Sequence, residues 1–373
     1  MKMLFISNNW ADAHQQTRLR GLAQAGFVIT CLAVYRNYYP VQAAVTPIKL
    51  GKVAHANYTK RFRIYLRLFV QLWKNAPYND YLYVYGFDLA LTILIYKTIS
   101  RQKTTVIYEI PDIREIFFSN NFAGKLIRKI EKIIIPHIDQ LVVTSPDFIS
   151  EYFTRLRKIY IKNYLVIENK IHSDQVLKDS STHPLIDLNR KIRIGYFGVL
   201  RCPNSLSCLI SLAIKNQFEI IIRGIFMPET SHFEEKIRKS GNIFYHGPYQ
   251  VPESLEAIYS EADIIWAAYP FSKNETGNHR YARTNRFYES LFFKKPMILQ
   301  KGTSDADKAR QLGNIALEID MNDEDQVISY LSYYLSRDYL ESASTSIRNV
   351  PESHYQITTE YNNLVRCLQQ KKS

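Results

Sequence analysis

Ile192-Arg193-Ile194-Gly195-Tyr196-Phe197-Gly198-Val199-Leu200-Arg201 lies just past the midpoint of the 373-residue chain, and its reading decides the fold. It is an apolar strand that breaks on a glycine and ends in arginine. The run before it, His172 to Arg190, is polar, holds Ser180-Ser181-Thr182 and Pro184, and has the composition of a linker. A strand that opens directly after a linker and closes in a turn is how a parallel sheet starts afresh. The chain begins in the same way: Lys2–Ser7 is a short apolar strand, closed by polar Asn8-Asn9.

Working outward, short apolar runs alternate with amphipathic stretches in both halves. The first half has a helix over Thr17–Gln24, stopped at Gly26, where a residue free to take positive φ ends helices. Its further strands are Phe27–Tyr35, Tyr81–Tyr85, Thr105–Ile110, Gln140–Thr144 and Tyr164–Glu168. The second half continues with strands over Phe218–Arg223, Ile243–Tyr245, Asp263–Ala267 and Pro296–Gln300, and His354 to Gln370 reads as a terminal helix. At ~150 residues per domain the length suits two domains. The expected fold is α/β, with two Rossmann-like doubly wound domains facing across a cleft. They are residues 1–170, a linker at 171–190, residues 191–350, and a tail, 351–373, that packs back on the first domain. Such sheets bind ligands beyond the carboxyl ends of their strands. Because no Gly-x-Gly-x-x-Gly follows the first strand, a dinucleotide-dependent dehydrogenase is disfavoured.

The net charge of +13 is unevenly spread. Residues 1–170 hold 24 Lys+Arg against 11 Asp+Glu, whereas residues 171–373 hold 24 against 24. A one-sided basic field points to an anionic partner. In Tyr58–Lys74, Phe62, Tyr65, Leu66, Phe69, Val70 and Trp73 recur at helical spacing, with Lys60, Arg63, Arg67 and Lys74 on the other side. Gly124–Ile135 repeats the theme, with Leu126, Ile127, Ile130, Ile133 and Ile134 against Lys125, Arg128, Lys129 and Lys132. Taken singly, each apolar stripe is expected to face its own core. Two basic helices in one half with few acids favour an anionic membrane surface. No helix-turn-helix, RNP or zinc signature accompanies the charge, so no nucleic acid is expected.

Cys31, Cys202, Cys208 and Cys367 show neither CxxC nor Cys/His spacing, the pattern of free thiols in a reducing cytoplasm. No apolar run nears the ~20 residues that span a bilayer, and the N-terminus turns polar too soon for a signal peptide. The expected location is therefore cytoplasmic, peripheral at the inner face of the plasma membrane.

The strongest site signal is Arg283-Thr284-Asn285-Arg286-Phe287-Tyr288-Glu289, followed by the apolar Pro296–Leu299 strand. Three residues apart on a helix, Arg286 and Glu289 share one face. Thr284 or Asn285 would cap that helix and aim its free N–H groups at an anion. Gly198 would let a phosphate approach the backbone, and Arg201 would offer a forked donor to a diphosphate. The alternatives are a plain glycine turn and an ordinary surface ion pair.

This segment resembles the nucleotide-binding stretch of GT-B glycosyltransferases of the family 4 type, found in bacterial polysaccharide assembly. The resemblance runs over most of the chain: Gln15-Gln16-Thr17-Arg18 to Gly26, Tyr108-Glu109-Ile110-Pro111-Asp112, Asp139 to Ser145, Val166-Ile167-Glu168-Asn169, and His246-Gly247-Pro248-Tyr249. Tyr281 stands in place of the family's first glutamate, and Asn8-Asn9 replaces its Gly-Gly loop. The resemblance implies transfer of a sugar from a UDP- or GDP-sugar to a lipid-linked or polysaccharide acceptor, with no other cofactor and no metal. It places the diphosphate on Arg201 and Arg286 beside Gly198 and Asn285, the ribose on Glu289, and the base near Tyr249. Asn9 and His14 would meet the acceptor. Asp112 is the expected catalytic base, with a helix N-cap as its alternative role and Glu109 and His246 as substitutes. The competing functions are a sugar-nucleotide epimerase of the same fold and a non-catalytic module binding acidic polysaccharide or lipid.

Overall fold

The computed structural model describes residues 1–35, 45–53, 58–172, 190–271 and 277–371. The chain divides into two compact units, Met1–Glu168 with Thr358–Ser373, and Asn169–Ile357. Most of the expected linker, and part of the loop before Gly277, lie outside the described residues.

In the first unit the elements run β1 (Lys2–Ser7), α1 (Ala13–Gln24), β2 (Val28–Tyr35), β3 (Ile48–Lys52), α2 (Tyr58–Asn75), β4 (Tyr81–Tyr85), α3 (Phe87–Ser100), β5 (Thr105–Ile110), α4 (Phe122–Ile134), β6 (Gln140–Val143) and β7 (Tyr164–Val166). Every strand pairing is parallel, in the order β3-β2-β1-β4-β5-β6-β7. β1 and β4 are buried on both faces, as a sheet covered by helices requires. The chain winds outward one way from β1 and the other way from β4, so the ends of these two strands form a topological switch point.

The second unit repeats the plan. Its elements are β8 (Ile192–Leu200), α5 (Pro203–Ile214), β9 (Phe218–Phe226), α6 (Glu234–Arg238), β10 (Ile243–Tyr245), α7 (Leu255–Ser260), β11 (Ile264–Trp266), α8 (Asn278–Tyr281), α9 (Asn285–Phe292), β12 (Met297–Gln300), α10 (Ser304–Leu312), β13 (Ala316–Ile319), α11 (Glu324–Tyr334) and α12 (Arg337–Arg348). The parallel order β10-β9-β8-β11-β12-β13 puts a second switch point between β8 and β11. The expected terminal helix is shorter than its pattern: α13 covers Glu360–Gln370 and belongs to the first unit. There the ring of Tyr361 occupies the space that a side chain at Gly21 would need, within 2.2 Å of its Cβ position. Glycine on α1 thus seats α13.

The two basic helices depart from expectation. α2 buries Ile64, Leu68 and Leu72 and leaves Phe62, Leu66, Val70 and Trp73 exposed. α4 buries Ile134 but also Glu131, whose carboxylate accepts from Tyr152 at 3.0 Å and from Arg157 at 3.0 Å, while Phe122, Leu126 and Ile133 stay exposed. On α2 the core took a second apolar stripe in place of the expected one, whereas on α4 the expected stripe is split, with Ile134 buried and Leu126 and Ile133 exposed.

Candidate functional site

The switch point of the second unit gathers the expected donor-binding residues. Gly198, near the end of β8, has φ of 114°, and a Cβ there would stand 3.2 Å from Nη2 of Arg286. A residue without a side chain is what lets the guanidinium lie against the strand. Arg286 is only 6% exposed. Its guanidinium sits over the rings of Tyr196 at 4.5 Å and Tyr269 at 4.9 Å, and its Nη1 donates to the carbonyl of Trp266 at 3.2 Å. Among the described residues no carboxylate pairs with it. Burial works against its charge, and the ring faces of Tyr196 and Tyr269 offset part of that cost, while the guanidinium stays protonated.

Arg286 is the second residue of α9. The Thr284 hydroxyl caps this helix by accepting from Phe287 N at 3.3 Å, and donates in turn to Asp305 at 2.8 Å. Asn285 is exposed at the first helical position. The N-terminal amides of α9 and the guanidinium therefore lie at one strand end. Glu289, one turn further on, makes no salt bridge with Arg286, against the ion-pair alternative. Instead its Oε2 accepts from the Tyr259 hydroxyl at 2.6 Å. Burial pushes its carboxyl up, opposed by that hydrogen bond and by Arg286. Tyr249 is half-buried against the cluster that contains Tyr259 and Phe197.

Arg201 is exposed just past β8. It and Arg286 act on the same imidazole: burial first, then these two cations, lower His279 to about 4. His279 is therefore neutral at ordinary pH, with its ring stacked on Tyr269 at 4.6 Å and 8°. Gly198, Arg201, Tyr249, Asn285, Arg286 and Glu289 are thus gathered within one unit. Sequence reasoning missed Tyr196, Tyr269 and His279. Tyr196 lies inside the strand that decides the fold, but its ring meets Arg286 across 90 positions, and no local pattern signals that.

The first unit has a different cluster at its own switch point. Ser7 donates to Gln15 and Gln15 to Asn8, each at 2.8 Å, which ties the loop after β1 to α1. Asn9 is in this loop, with its Oδ1 buried and without a hydrogen-bond partner among the described residues. His14, in the first turn of α1, has Nε2 3.1 Å from Oε1 of Glu109 and a side chain 17% exposed. Glu109 is fully buried in β5. Arg18 clasps it through Nε at 3.0 and 3.1 Å and Nη2 at 2.7 Å, and the Tyr83 hydroxyl donates to it at 2.5 Å. Burial would raise this carboxyl, yet Arg18 and then His14 overcome it and bring Glu109 to about 2. An acid so firmly ionised and enclosed is a poor proton acceptor, which removes Glu109 as a substitute base. Asp112 is exposed on the loop after β5. It does not cap a helix: the next helical turn, Glu115–Phe117, is flanked by Arg114.

The sequence does contain two Asp-x-Asp triplets, Asp305-Ala306-Asp307 and Asp323-Glu324-Asp325. Both are engaged at helix starts. Asp305 accepts from Thr284, Asp307 pairs with Arg310, and Asp323 caps α11. No group of three or more potential metal ligands occurs among the described residues.

Two parallel doubly wound sheets in series, each with polar groups at its switch point, define the class: the chain has the GT-B fold of glycosyltransferases. It is similar over 99% of its length, with a TM-score of 0.71 and 12% identity, to Anabaena HepE in complex with UDP and glucose, covering all of that chain. It is similar at a TM-score of 0.70 and 12% identity to sucrose-phosphate synthase from Thermosynechococcus elongatus, covering 99% of this chain and 98% of that one. In sequence it is 25% identical over 380 residues to the succinoglycan biosynthesis protein ExoL of Rhizobium meliloti (strain 1021), covering 99% of this chain and 93% of the relative. No protein-family model matches the chain.

Proposed function

We propose that this protein is a glycosyltransferase of bacterial surface polysaccharide synthesis. It moves a sugar from a UDP- or GDP-sugar to a lipid-linked or polysaccharide acceptor presented at the membrane. The observation that carries this reading is Arg286, a buried guanidinium with no carboxylate partner among the described residues, set against Gly198 of β8 in the first turn of α9. A cation in that state is completed by an anion. The resemblance of ExoL, named for succinoglycan biosynthesis, and of HepE, solved with UDP, supports the same ligand class.

Glycosyl transfer builds negative charge on the departing diphosphate. Arg286, Arg201 and the amides of α9 neutralise it, with no metal required, and Glu289 accepts from the ribose hydroxyls. Asp112 remains the proposed base. A second reading is favoured by the His14–Glu109 contact. With Nε2 donating to an ionised carboxylate, Nδ1 keeps a lone pair for the acceptor hydroxyl. Asp112→Asn and His14→Asn separate the two, because the variant that loses transfer but keeps nucleotide binding has lost the base. Incubation with radiolabelled UDP- and GDP-sugars tests the whole reading. Release of free sugar or labelled product supports it, and inert donors with no nucleotide-induced thermal shift overturn it in favour of a binding module.

A further inference from the structure

The groove between the ends of α3 and α4 plays no part in the donor site, and its volume is about 1100 Å³. Ile95, Ile99, Ile133 and Ile138 line it, three of them exposed, with Ile99 at 60% and Ile133 at 64%. Lys97, Arg101, Lys162 and Lys371 line it too, against one acid, Asp139. That acid is already engaged: Lys97 pairs with it at 2.7 Å, and Lys371 reaches its carbonyl and the Gln140 side chain. Arg101 and Lys162 form no ion pair among the described residues. Burial first, and Lys162 in addition, lower Lys371, while Asp139 raises it. The groove thus has an unbalanced positive charge beside apolar walls.

The surrounding surface has the same chemistry. α2 packs on α3, and α3 and α4 share the groove, so the three form one layer. On α2 the exposed residues interleave Phe62, Leu66 and Trp73 with Arg63, Arg67 and Lys74, and the helix contains no acid. On α4, Phe122, Leu126 and Ile133 interleave with Lys125, Lys129 and Lys132, while the helix's one acid, Glu131, is buried. Apolar side chains exposed among cations, with the acids withdrawn, suit an anionic lipid and no purely polar or purely apolar partner.

We propose that the α3–α4 groove seats one anionic phospholipid, its phosphate answered by Arg101 and Lys162 and an acyl chain laid along Ile95, Ile99 and Ile133. The bound lipid holds the α2–α4 layer on an anionic leaflet. This rests on the membrane-presented acceptor in the proposed function and is independent of the donor chemistry.

The test uses the full chain with dihexanoyl phosphatidylglycerol below its micelle-forming concentration, so that a site is separated from a bilayer surface. Saturable binding by calorimetry is expected, absent with dihexanoyl phosphatidylcholine and at least tenfold weaker in the double variant Arg101→Glu/Lys162→Glu. Ile99→Ser, at an exposed position, should also weaken it, and carries the test should the double variant not fold. Equal binding of the two lipids, unchanged binding in these variants, or glycerol phosphate binding as tightly as the lipid would each overturn the proposal. A UDP thermal-shift measurement on the same samples distinguishes failures. A UDP shift without lipid binding sinks the groove alone, and lipid binding with inert donors sinks the transferase reading alone.

Discussion

Each unit buries one arginine near its switch point, and the two arginines are in opposite states. Arg18 is saturated: it gives three hydrogen bonds to Glu109, one to the Ile167 carbonyl at 2.9 Å and one to the Tyr361 hydroxyl at 3.2 Å. Among the described residues Arg286 has one backbone carbonyl and two aromatic faces. Their carboxylate neighbours diverge accordingly, with Glu109 lowered by its cation and Glu289 raised by burial. A closed pair locks β5, α1 and α13 together, whereas an open cation stores unsatisfied binding capacity for a ligand. Burial of an arginine is thus silent about its role until its partners are counted.

The sharpest break in that comparison is Arg18→Met. It leaves Glu109 buried with only His14 and the Tyr83 hydroxyl as partners, and removing the principal cation of a buried pair costs about 3–5 kcal/mol. Chemical unfolding should show that loss while UDP binding to the second unit persists in whatever remains folded. A stability change below about 1 kcal/mol would mean that the pair is not closed. The same pair predicts acid lability. Glu109 moves from 4.5 to about 2 on folding, so its contribution is fully present above the unfolded value and is lost as pH falls through the folded one. On the order of 3 kcal/mol is at stake. Glu109→Gln should flatten the acid limb of the stability curve.

Arg286→Met tests the other side. Methionine fills an aromatic slot well, so the unfolding midpoint should not fall. Affinity for a nucleoside diphosphate should drop about a hundredfold, the scale of one or two charge-assisted hydrogen bonds. Calorimetry with UDP and GDP reads this directly, and affinity within threefold of wild type would remove Arg286 from the site.

How much of this was legible beforehand follows the range of the forces involved. Apolar runs such as Tyr81–Tyr85 and Thr105–Ile110 announced central strands because burial on both faces is local information. β3, with Lys49, Gly51 and Lys52 at a sheet edge, and β13, with Glu318 among four residues, carried too little apolar signal. The helix periods of α2 and α4 were readable, but the choice of stripe is made by the neighbouring elements: on α2 the expectation was inverted, and on α4 it held for Ile134 and failed for Leu126 and Ile133. At the site, Thr284 to Glu289 could be read because cap, cation and acid fall within two turns. Tyr196, Tyr269 and His279 could not, because their roles arise only when β8, β11 and α8 meet.

The smallest effect is also the most discriminating. If Glu289 receives the ribose, Glu289→Ala should weaken donor binding about tenfold, which is ~1.4 kcal/mol, with the fold intact. Its carboxyl is raised, so on acidification it takes up a proton sooner than an exposed glutamate would, and a protonated acid accepts less well from two hydroxyls. The donor KM should therefore rise as pH falls, beginning at a higher pH than for an exposed glutamate, and Glu289→Gln should remove that slope while leaving the one set by the catalytic base in kcat. His279 titrates on the acidic side of Glu289: burial and two arginines hold it at about 4, below the ordinary value from which the Glu289 carboxyl is raised. A pH-independent KM in the wild type would assign Glu289 to holding Tyr259 alone, and the open arginine would then bind its anion without help from the next turn of α9.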